Sequence, residues 1–292
     1  MLSYILYGLC WLMGCLPLRV LYLLSDVIYL LVYYLIHYRR KVVRTNLCNA
    51  FPEKGMQEII QIEREFYKHL VDTSVELYKA WHFSEKTIRK RMVFTNPELA
   101  HHYFSEGRGV IAVMGHYNNW EWLSSTYLWL KGADAIMLYK PLHNAALDRM
   151  TLNIRSRFGC KPIPKDRVLR ELNHYIAEKR PYLVCFIGDQ TPNVHNLHFW
   201  MPFLNQDTPV LLGTEKIARK YDIPVVFLHI GKVKRGYYEV EFVKLCDNPS
   251  SLAPGELTEM HTRMLESYIR EKPAYWLWSH RRWKHERVKS EE

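Results

Sequence analysis

The stretch GRGVIAVMGHYNNWEW, residues 107–122, decides the fold because it joins an apolar strand to a polar turn. The five apolar residues Val110–Met114 predict a strand that is covered on both faces. A glycine, a histidine, two asparagines and a glutamate between two tryptophans follow at once. Ligands of open α/β sheets bind outside the carboxyl ends of the strands, so the polar turn is a candidate functional site.

Similar apolar runs predict further strands at 134–138, 182–187, 224–230 and 237–245. Helical periodicity predicts helices at 58–81, 120–130, 144–158, 167–178, 211–221 and 256–271. This alternation predicts an α/β fold, with a mixed, largely parallel sheet that is flanked by helices. On the helix 58–81 the pattern places Glu63, Lys68 and Glu76 on the polar side.

The first 36 residues are apolar apart from Ser3, Arg19, Ser25 and Asp26. A signal peptide would begin with basic residues and would have a shorter apolar core. We therefore expect a membrane attachment, either one tilted helix or a helical hairpin broken near residues 17–19, since a span needs about 20 apolar residues. The alternative is a buried pair of helices in a soluble protein.

A basic cluster follows the apolar segment, and it contains Arg39, Arg40, Lys41 and Arg44. Positive charge beside a membrane segment favours the cytoplasmic side for the domain that follows. We expect residues 1–45 to form the anchor, with N-terminal membrane-associated helices, and residues 46–292 to form the α/β domain.

The composition narrows the class of partner. The chain has 40 Lys and Arg against 30 Asp and Glu, a formal charge of +10, which favours partners that carry negative charge. The 20 Tyr, 9 Trp and 11 Phe suit membrane interfaces and apolar grooves. No nucleic-acid-binding module is recognisable, so we expect no nucleic-acid partner. The six cysteines show no CxxC spacing and are expected to be ordinary thiols.

His116 is the candidate general base of the turn. A neutral imidazole accepts a proton efficiently when a carboxylate holds its other nitrogen, and Glu121 in the following helical turn would do so. The alternative is a capping box formed by Asn118 and Glu121, which would explain both residues without chemistry. One histidine and one glutamate at this spacing resemble no zinc signature, so no metal is expected.

His116-Tyr117-Asn118-Asn119-Trp120-Glu121 resembles the H-x4-[D/E] motif of the glycerolipid and lipid A acyltransferase superfamily. GHYNNWEW is similar in particular to the lipid A late acyltransferases, which usually have glycine at the position of Asn118. A tighter loop with unchanged chemistry is expected there. Further stretches resemble the family in order along almost the whole chain: RTNLCNAFPE at 44–53, YKPLHNAALDRMTLNIRSRFG at 139–159, GDQTP at 188–192, MPFLNQDTPVLLGTEKIARKYDIPVV at 201–226 and WLWSHRRWK at 276–284.

The resemblance implies transfer of a fatty acyl chain from acyl carrier protein, or from acyl-CoA, to a hydroxyl of a lipid A precursor, without a cofactor. It implies an enzyme at the cytoplasmic face of a bacterial inner membrane. His116 would deprotonate the hydroxyl while Glu121 orients its ring. Either Arg155 or Arg157, together with Asp189, would stabilise the oxyanion. The alternative for these residues is an Arg–Asp ion pair that only braces the loops.

Residues in the same blocks are expected to bind substrate: Asn119, Trp120, Tyr139, Lys140, Gln190, Pro202, Phe203, Arg281 and Arg282. Lys140 stands where many members have arginine. The apolar segment 199–209 would line the acyl-chain groove, or else would be a loop that covers the core. The basic segment 279–289 would hold lipid phosphates or the acidic carrier protein, or would be a solvated tail.

Three other functions stay open on the sequence. In the first, the chain is an acyltransferase whose acceptor is a glycerolipid or an aminolipid instead of a lipid A precursor. In the second, it is a lipid-binding membrane protein in which the motif is only structural. In the third, it is a thioesterase or another hydrolase that releases free fatty acid without an acceptor.

Overall fold

The computed structural model of the chain describes residues 2–287, with side chains from residue 7 onward. The end of the predicted basic tail, residues 288 and 289, lies outside the described residues. The fold is a seven-stranded sheet with helices against it and a separate two-stranded hairpin. The predicted α/β fold with a mixed, largely parallel sheet is confirmed.

The strands of the main sheet are β1 (Met92–Phe94), β2 (Val110–Met114), β3 (Asp134–Tyr139), β4 (Lys161–Pro164) and β5 (Tyr182–Ile187), and later in the chain β8 (Val225–Lys234) and β9 (Tyr237–Cys246). The separate hairpin contains β6 (Trp200–Phe203) and β7 (Gln206–Pro209). The order in the main sheet is β1-β9-β8-β2-β5-β3-β4. Every neighbouring pair is parallel except β8 and β9, which are joined by the two-residue turn Arg235–Gly236 and are therefore antiparallel.

The α-helices are α1 (Leu2–Cys15), α2 (Leu18–Leu30), α3 (Arg40–Ala50), α4 (Met56–Ala80), α5 (Glu85–Arg91), α6 (Glu98–Ser105), α7 (Ala145–Ser156), α8 (Val168–Ala177), α9 (Gly213–Tyr221) and α10 (Glu256–Glu271). A π-helical turn, Leu31–Leu35, continues α2 without a break. The predicted helix at 120–130 forms, but as a 3₁₀ helix, Trp120–Trp129. The hydroxyl of Thr126 there donates to the carbonyl of Leu123, three residues earlier, which suits the tighter coil.

β2 lies at the centre of the main sheet and all five of its residues are buried. Ile111 and Val113 pack into a cluster with α8 and α9, while Val110, Ala112 and Met114 pack into the cluster on the other face. Alternate side chains of β2 thus pack into two hydrophobic clusters, one on each face of the sheet. Covered on both faces, β2 holds the turn that follows it rigidly against β5 and β8.

The apolar N-terminal segment forms two helices that are separated at Leu16–Pro17, next to the break that was expected near residues 17–19. Both helices pack against α4. Within the described residues, only the helix Leu18–Leu35 is long and apolar enough to cross a membrane, by length and composition.

The predicted polar side of α4 is partly wrong. Lys68 is exposed as expected, but Glu63 and Glu76 are completely buried. Tyr33 and Tyr22, from the N-terminal segment, cover these carboxylates and donate hydrogen bonds to them at 2.9 and 2.7 Å. Periodicity places a residue on a face of a helix, but it does not say what covers that face.

Candidate active site

The neighbouring parallel strands β2 and β5 bring His116 and Asp189 to the same edge of the sheet. Met114 is in register with Ile187, so two residues further on each strand leads to His116 or to Asp189. The Nδ1 atom of His116 lies 2.6 Å from Oδ1 of Asp189. The pair therefore lies outside the carboxyl ends of adjacent parallel strands, which is where open α/β sheets bind their ligands.

The carboxylate of Asp189 is buried and fully engaged. The backbone N–H of His116 and the indole Nε1–H of Trp276 both donate to its Oδ2 atom at 2.8 Å. Gly115 is required beside it, because a Cβ atom there would lie 2.7 Å from the side chain of Leu265 and 3.1 Å from Oδ2 of Asp189. The glycine of the motif therefore makes room for the carboxylate.

The opposite charges of Asp189 and His116 shift the pKa of both groups. Burial alone would raise the pKa of Asp189, but the charge of His116 and the hydrogen bonds that the carboxylate accepts lower that pKa to about 2. Burial lowers the pKa of His116, but the Asp189 carboxylate outweighs it and the pKa of His116 is raised. An ionised Asp189 accepts the Nδ1–H of His116, which leaves Nε2 as the basic nitrogen of the neutral ring.

The Nε2 atom of His116 faces the solvent side of the site. The side-chain amide nitrogen of the exposed Gln190 donates to it at 3.1 Å. The indole of Trp120 packs edge-on against the imidazole, with ring centroids 5.1 Å apart. Gln190 and Trp120 therefore lie beside the basic nitrogen, where substrate-binding residues were predicted.

Glu121 does not hold the histidine ring, so the predicted His116–Glu121 contact is wrong. The Glu121 carboxylate instead accepts two hydrogen bonds from Arg155, at 2.8 and 3.1 Å. Asp189 occupies the position at Nδ1 that Glu121 was expected to take. Glu121 acts on His116 only through its charge, which raises the pKa of the histidine, while the charge of Arg155 opposes this.

The structure separates the two arginines of the second block. Arg155, in the last turn of α7, is the one at the site. Arg157 ends α7 and donates to the backbone carbonyls of Trp81 and Phe83, both at 3.3 Å. The predicted Arg–Asp brace does not form among residues 2–287, since Arg155 pairs with Glu121 and Asp189 with His116.

Asn118 and Asn119 have structural roles. Asn119, not Asn118, caps the 3₁₀ helix and accepts from the backbone N–H of Trp122 at 3.2 Å, so the predicted Asn118–Glu121 capping box is wrong. Both asparagines are 1% exposed, and Asn119 also donates to the buried Glu76 at 2.7 Å. Asn119 was predicted to bind substrate; it supports the turn, and it also lines a cavity of about 140 Å³ beside Trp120 and Glu121.

Asn118 stands where the acyltransferase motif that the turn resembles usually has glycine. Its φ is 53°, a left-handed conformation that asparagine and glycine adopt more readily than other residues. Its amide donates to the carbonyl of Ile230 at 2.5 Å, and its backbone N–H donates to the carbonyl of Tyr275 at 2.9 Å. The positive φ explains why either residue type fits.

Trp276 and Leu277, in the segment after α10, close over the turn, and the sequence analysis gave these two residues no role. The backbone of Trp276 pairs with Tyr117 as an isolated β-bridge, and the N–H of Leu277 donates to the carbonyl of His116 at 3.2 Å. Trp276 is 2% exposed and carries the indole that bonds Asp189. A tryptophan gives no local signal that its N–H will serve a carboxylate 87 residues away.

An apolar groove starts at Trp120 and Glu121 and runs to the N-terminal helices. It consists of a cavity of about 140 Å³ beside those two residues and a larger one of about 570 Å³. The two cavities share Leu70, Ser74 and Leu277 in their walls. The larger one is lined by residues of α1, of α2 and the π-helical turn that continues it, of α4 and of the segment 277–280. Its size is that of a site for a small organic ligand.

The segment 199–209 does not line this groove, so of the two predictions the core-covering one is correct. It forms the hairpin β6–β7, in which the buried Met201 and Phe203 alternate with the exposed Pro202. Phe203 packs on Trp276, with ring centroids 5.8 Å apart. Because side chains alternate along the strand, Met201 and Phe203 point into the core, and Phe203 contacts the tryptophan that bonds Asp189.

The two basic residues expected to bind substrate near the C-terminus differ in their exposure. Arg281 is exposed, but Arg282 is 2% exposed and donates to the carbonyl of Pro209 at 2.7 Å. Arg282 is thus not a surface residue for lipid phosphates. Lys140 is exposed and Tyr139 half-buried at the end of β3, which lies next to β5 at the same edge of the sheet.

Within residues 2–287 no group of three or more His, Cys, Asp or Glu side chains lies together as metal ligands would.

The family model described as "Bacterial lipid A biosynthesis acyltransferase" matches residues 1–285. A separate comparison with curated proteins gives no match.

Members of the bacterial lipid A biosynthesis acyltransferase family are acyltransferases and are typically membrane-associated. The resemblance that the sequence motifs carry is therefore confirmed.

The positive φ of Asn118 leads to a prediction about stability. Asn118→Val puts a β-branched residue in a left-handed conformation and leaves the Ile230 carbonyl without its donor, so we expect a loss of about 2 kcal/mol or more. Asn118→Gly loses only the hydrogen bond and should cost about 1 kcal/mol. Thermal and urea unfolding measure both. The same two changes at the exposed Asn193, with φ −68°, are the control. Equal losses for Val and Gly at position 118 would contradict the role of φ.

Proposed function

Because the chain belongs to the bacterial lipid A biosynthesis acyltransferase family and is thus an acyltransferase, we propose that it acylates a hydroxyl of a lipid A precursor at a membrane. The donor is an acyl carrier protein thioester, or acyl-CoA. The observation that carries the proposal is the His116–Asp189 pair, whose basic nitrogen lies beside the head of an apolar groove.

In the proposed mechanism Nε2 of His116 takes the proton of the acceptor hydroxyl as its oxygen attacks the thioester carbon. Asp189 stabilises the imidazolium that forms, which a carboxylate hydrogen-bonded at Nδ1 does well. The C–O bond forms, the C–S bond breaks, and the proton passes from His116 to the departing thiolate. Asp189 is therefore proposed to position the base, in place of the oxyanion role that the family resemblance suggested.

Arg155 is the proposed partner of the negative oxygen that develops in this reaction. Its guanidinium is charged, since burial lowers its pKa but Glu121 outweighs this and raises it. Glu121 engages two of the five N–H donors of the guanidinium and fixes its plane. Glu121 is thus proposed to position Arg155, and the arginine to stabilise the oxyanion.

The groove is proposed to hold the acyl chain. Its walls carry apolar side chains such as Leu70, Val75 and Leu277, and its head reaches Trp120 and Glu121. A chain lying there would bring its thioester to His116. The far end of the groove meets Ile28 and Val32 of the N-terminal helical segment.

The first test compares acyl transfer by the natural protein and by His116→Ala, with labelled acyl carrier protein and a set of acceptor lipids. Loss of the general base should lower the rate by about a hundredfold or more. Lys86→Ala, at an exposed site on α5, is the control and should keep full activity. Equal transfer by natural protein and His116→Ala would refute the mechanism, and free fatty acid without acceptor would indicate a thioesterase.

The pH dependence tests the role of Asp189. The base acts only when neutral, so kcat/KM should rise with pH through the raised pKa of His116, above the ordinary value of about 6.5. Asp189→Asn removes the charge that raises this pKa, so burial dominates and the rise in kcat/KM should move to lower pH while the rate falls. Glu178→Gln, exposed at the end of α8, should leave the profile unchanged. An unmoved profile in Asp189→Asn would exclude His116 as the titrating base.

A bulky side chain in the groove should shorten the preferred acyl chain. Ser74 lines both cavities, so Ser74→Phe fills the passage between them. The last few methylenes of a long acyl chain would no longer fit. The ratio of kcat/KM for a long-chain donor to kcat/KM for a short-chain donor should therefore fall by about tenfold or more. Gln61→Phe, exposed on the same helix and outside the groove, is the matched control. An unchanged chain preference in Ser74→Phe would place the acyl chain elsewhere.

A further inference from the structure

We propose that the α2 segment, Leu18–Leu35, lies in the plane of one membrane leaflet and does not cross the bilayer. The inference builds on the membrane attachment in the proposed function and adds its geometry. The partner is a lipid surface with anionic headgroups. The contacts of the two faces of this segment carry the argument.

One face of the segment is an exposed apolar stripe. Its residues are 39 to 72% exposed and follow one another mostly at three or four positions: Val20, Leu23, Leu24, Val27, Leu30, Leu31, Tyr34 and Leu35. In α1, Leu9, Trp11 and Leu12 are also exposed. Exposed apolar surface of this extent marks an interaction site.

The opposite face is polar and bonded to α4 along its length. Tyr22 donates to Glu76 at 2.7 Å, and Ser25 donates to Asp72 at 2.7 Å. Tyr33 donates to Glu63 at 2.9 Å, about 16 Å further along the helix. As the residue numbers rise in one helix they fall in the other, so the two helices lie antiparallel and side by side. The segment therefore cannot enter the bilayer without α4.

An ion pair adds the β8–β9 turn to this face. The guanidinium of Arg235 donates to both carboxylate oxygens of Asp26, at 2.8 and 3.2 Å, and also bonds Asp72. The turn lies close to the helix, because a Cβ atom on Gly236 would lie 2.0 Å from the Tyr22 hydroxyl. A helix that crossed the bilayer would carry this turn into the hydrocarbon, where its backbone groups would lack water.

Two exposed charges of α4 lie beside the segment, Lys68 at its middle and Arg64 near its end. Arg64 interacts with Tyr33 and Tyr34, and Lys68 interacts with Asp26. Arg64 and Lys68 are both exposed. A crossing orientation would bring Lys68 into the bilayer core, where a charged side chain is strongly disfavoured. An in-plane orientation leaves both in water while the apolar stripe enters the leaflet to about 5–10 Å.

Basic residues lie at both ends of the stripe. Arg19 is exposed at its start, and His37, Arg39 and Lys41 are exposed after its end. In the in-plane orientation both ends are at the level of the headgroup phosphates, on the same side of the membrane. In a crossing orientation they would be on opposite sides. This difference can be measured directly.

The test uses the full-length chain with its six cysteines replaced, in inverted membrane vesicles from bacterial cells that produce it. Single cysteines are introduced as Arg19→Cys, Lys41→Cys and, as the reference on the globular part, Lys86→Cys. The native Cys15, exposed at the end of α1, is restored alone as a second probe of the first end. A charged maleimide that cannot cross membranes is added before and after the vesicles are permeabilised.

We expect all four cysteines to react fully before permeabilisation. Protection of Arg19→Cys and Cys15 until permeabilisation, with Lys41→Cys and Lys86→Cys reacting at once, would overturn the proposal. Recovery of the protein in the soluble fraction would also overturn it. The labelling needs no catalysis, so a protein that labels from one side but transfers no acyl group would refute the proposed function and support the in-plane orientation.

Discussion

The hydrogen-bonded pair of Asp189 and His116 is the contact on which the site depends. One buried carboxylate accepts from the ring and the backbone of His116 and from the indole of Trp276, so it ties β2, β5 and the C-terminal segment together. Because these donors stabilise its charged form, the carboxylate stays ionised in spite of burial. The absence of a Cβ at Gly115 is what allows the approach.

The sequence predicts the parts of the site that depend on one strand and its turn. The buried run Val110–Met114 and the turn after it place His116 correctly, since the carboxyl end of a central strand is recognisable from apolarity alone. The partner of His116 was not predictable in the same way. Glu121 is five residues away and Asp189 is 73, but the sheet order, not the sequence distance, decides which carboxylate reaches the ring.

The N-terminal segment shows a second limit of sequence reasoning. Hydropathy averages over all faces of a helix, so Leu18–Leu35 qualifies as a spanning helix although Tyr22, Ser25 and Tyr33 form a polar face. Two of the carboxylates that accept from these hydroxyls, Glu63 and Glu76, were predicted to lie on the polar side of α4. The burial of Glu63 and Glu76 has the same physical cause as the burial of the tyrosines, because each polar face is buried only by the other and neither is informative alone.

Glu76 links the two ends of the molecule that the proposed reaction needs. Its carboxylate accepts from Tyr22 of α2, from Tyr238 of β9 and from Asn119 in the turn after His116. Burial raises the pKa of Glu76, and the hydrogen bonds from the two tyrosines oppose this. A carboxylate that is fully enclosed by donors from three segments tolerates little movement of any of them. The helix that meets the lipid and the turn that carries the base are therefore held in a fixed relation, and the groove between them has a fixed length.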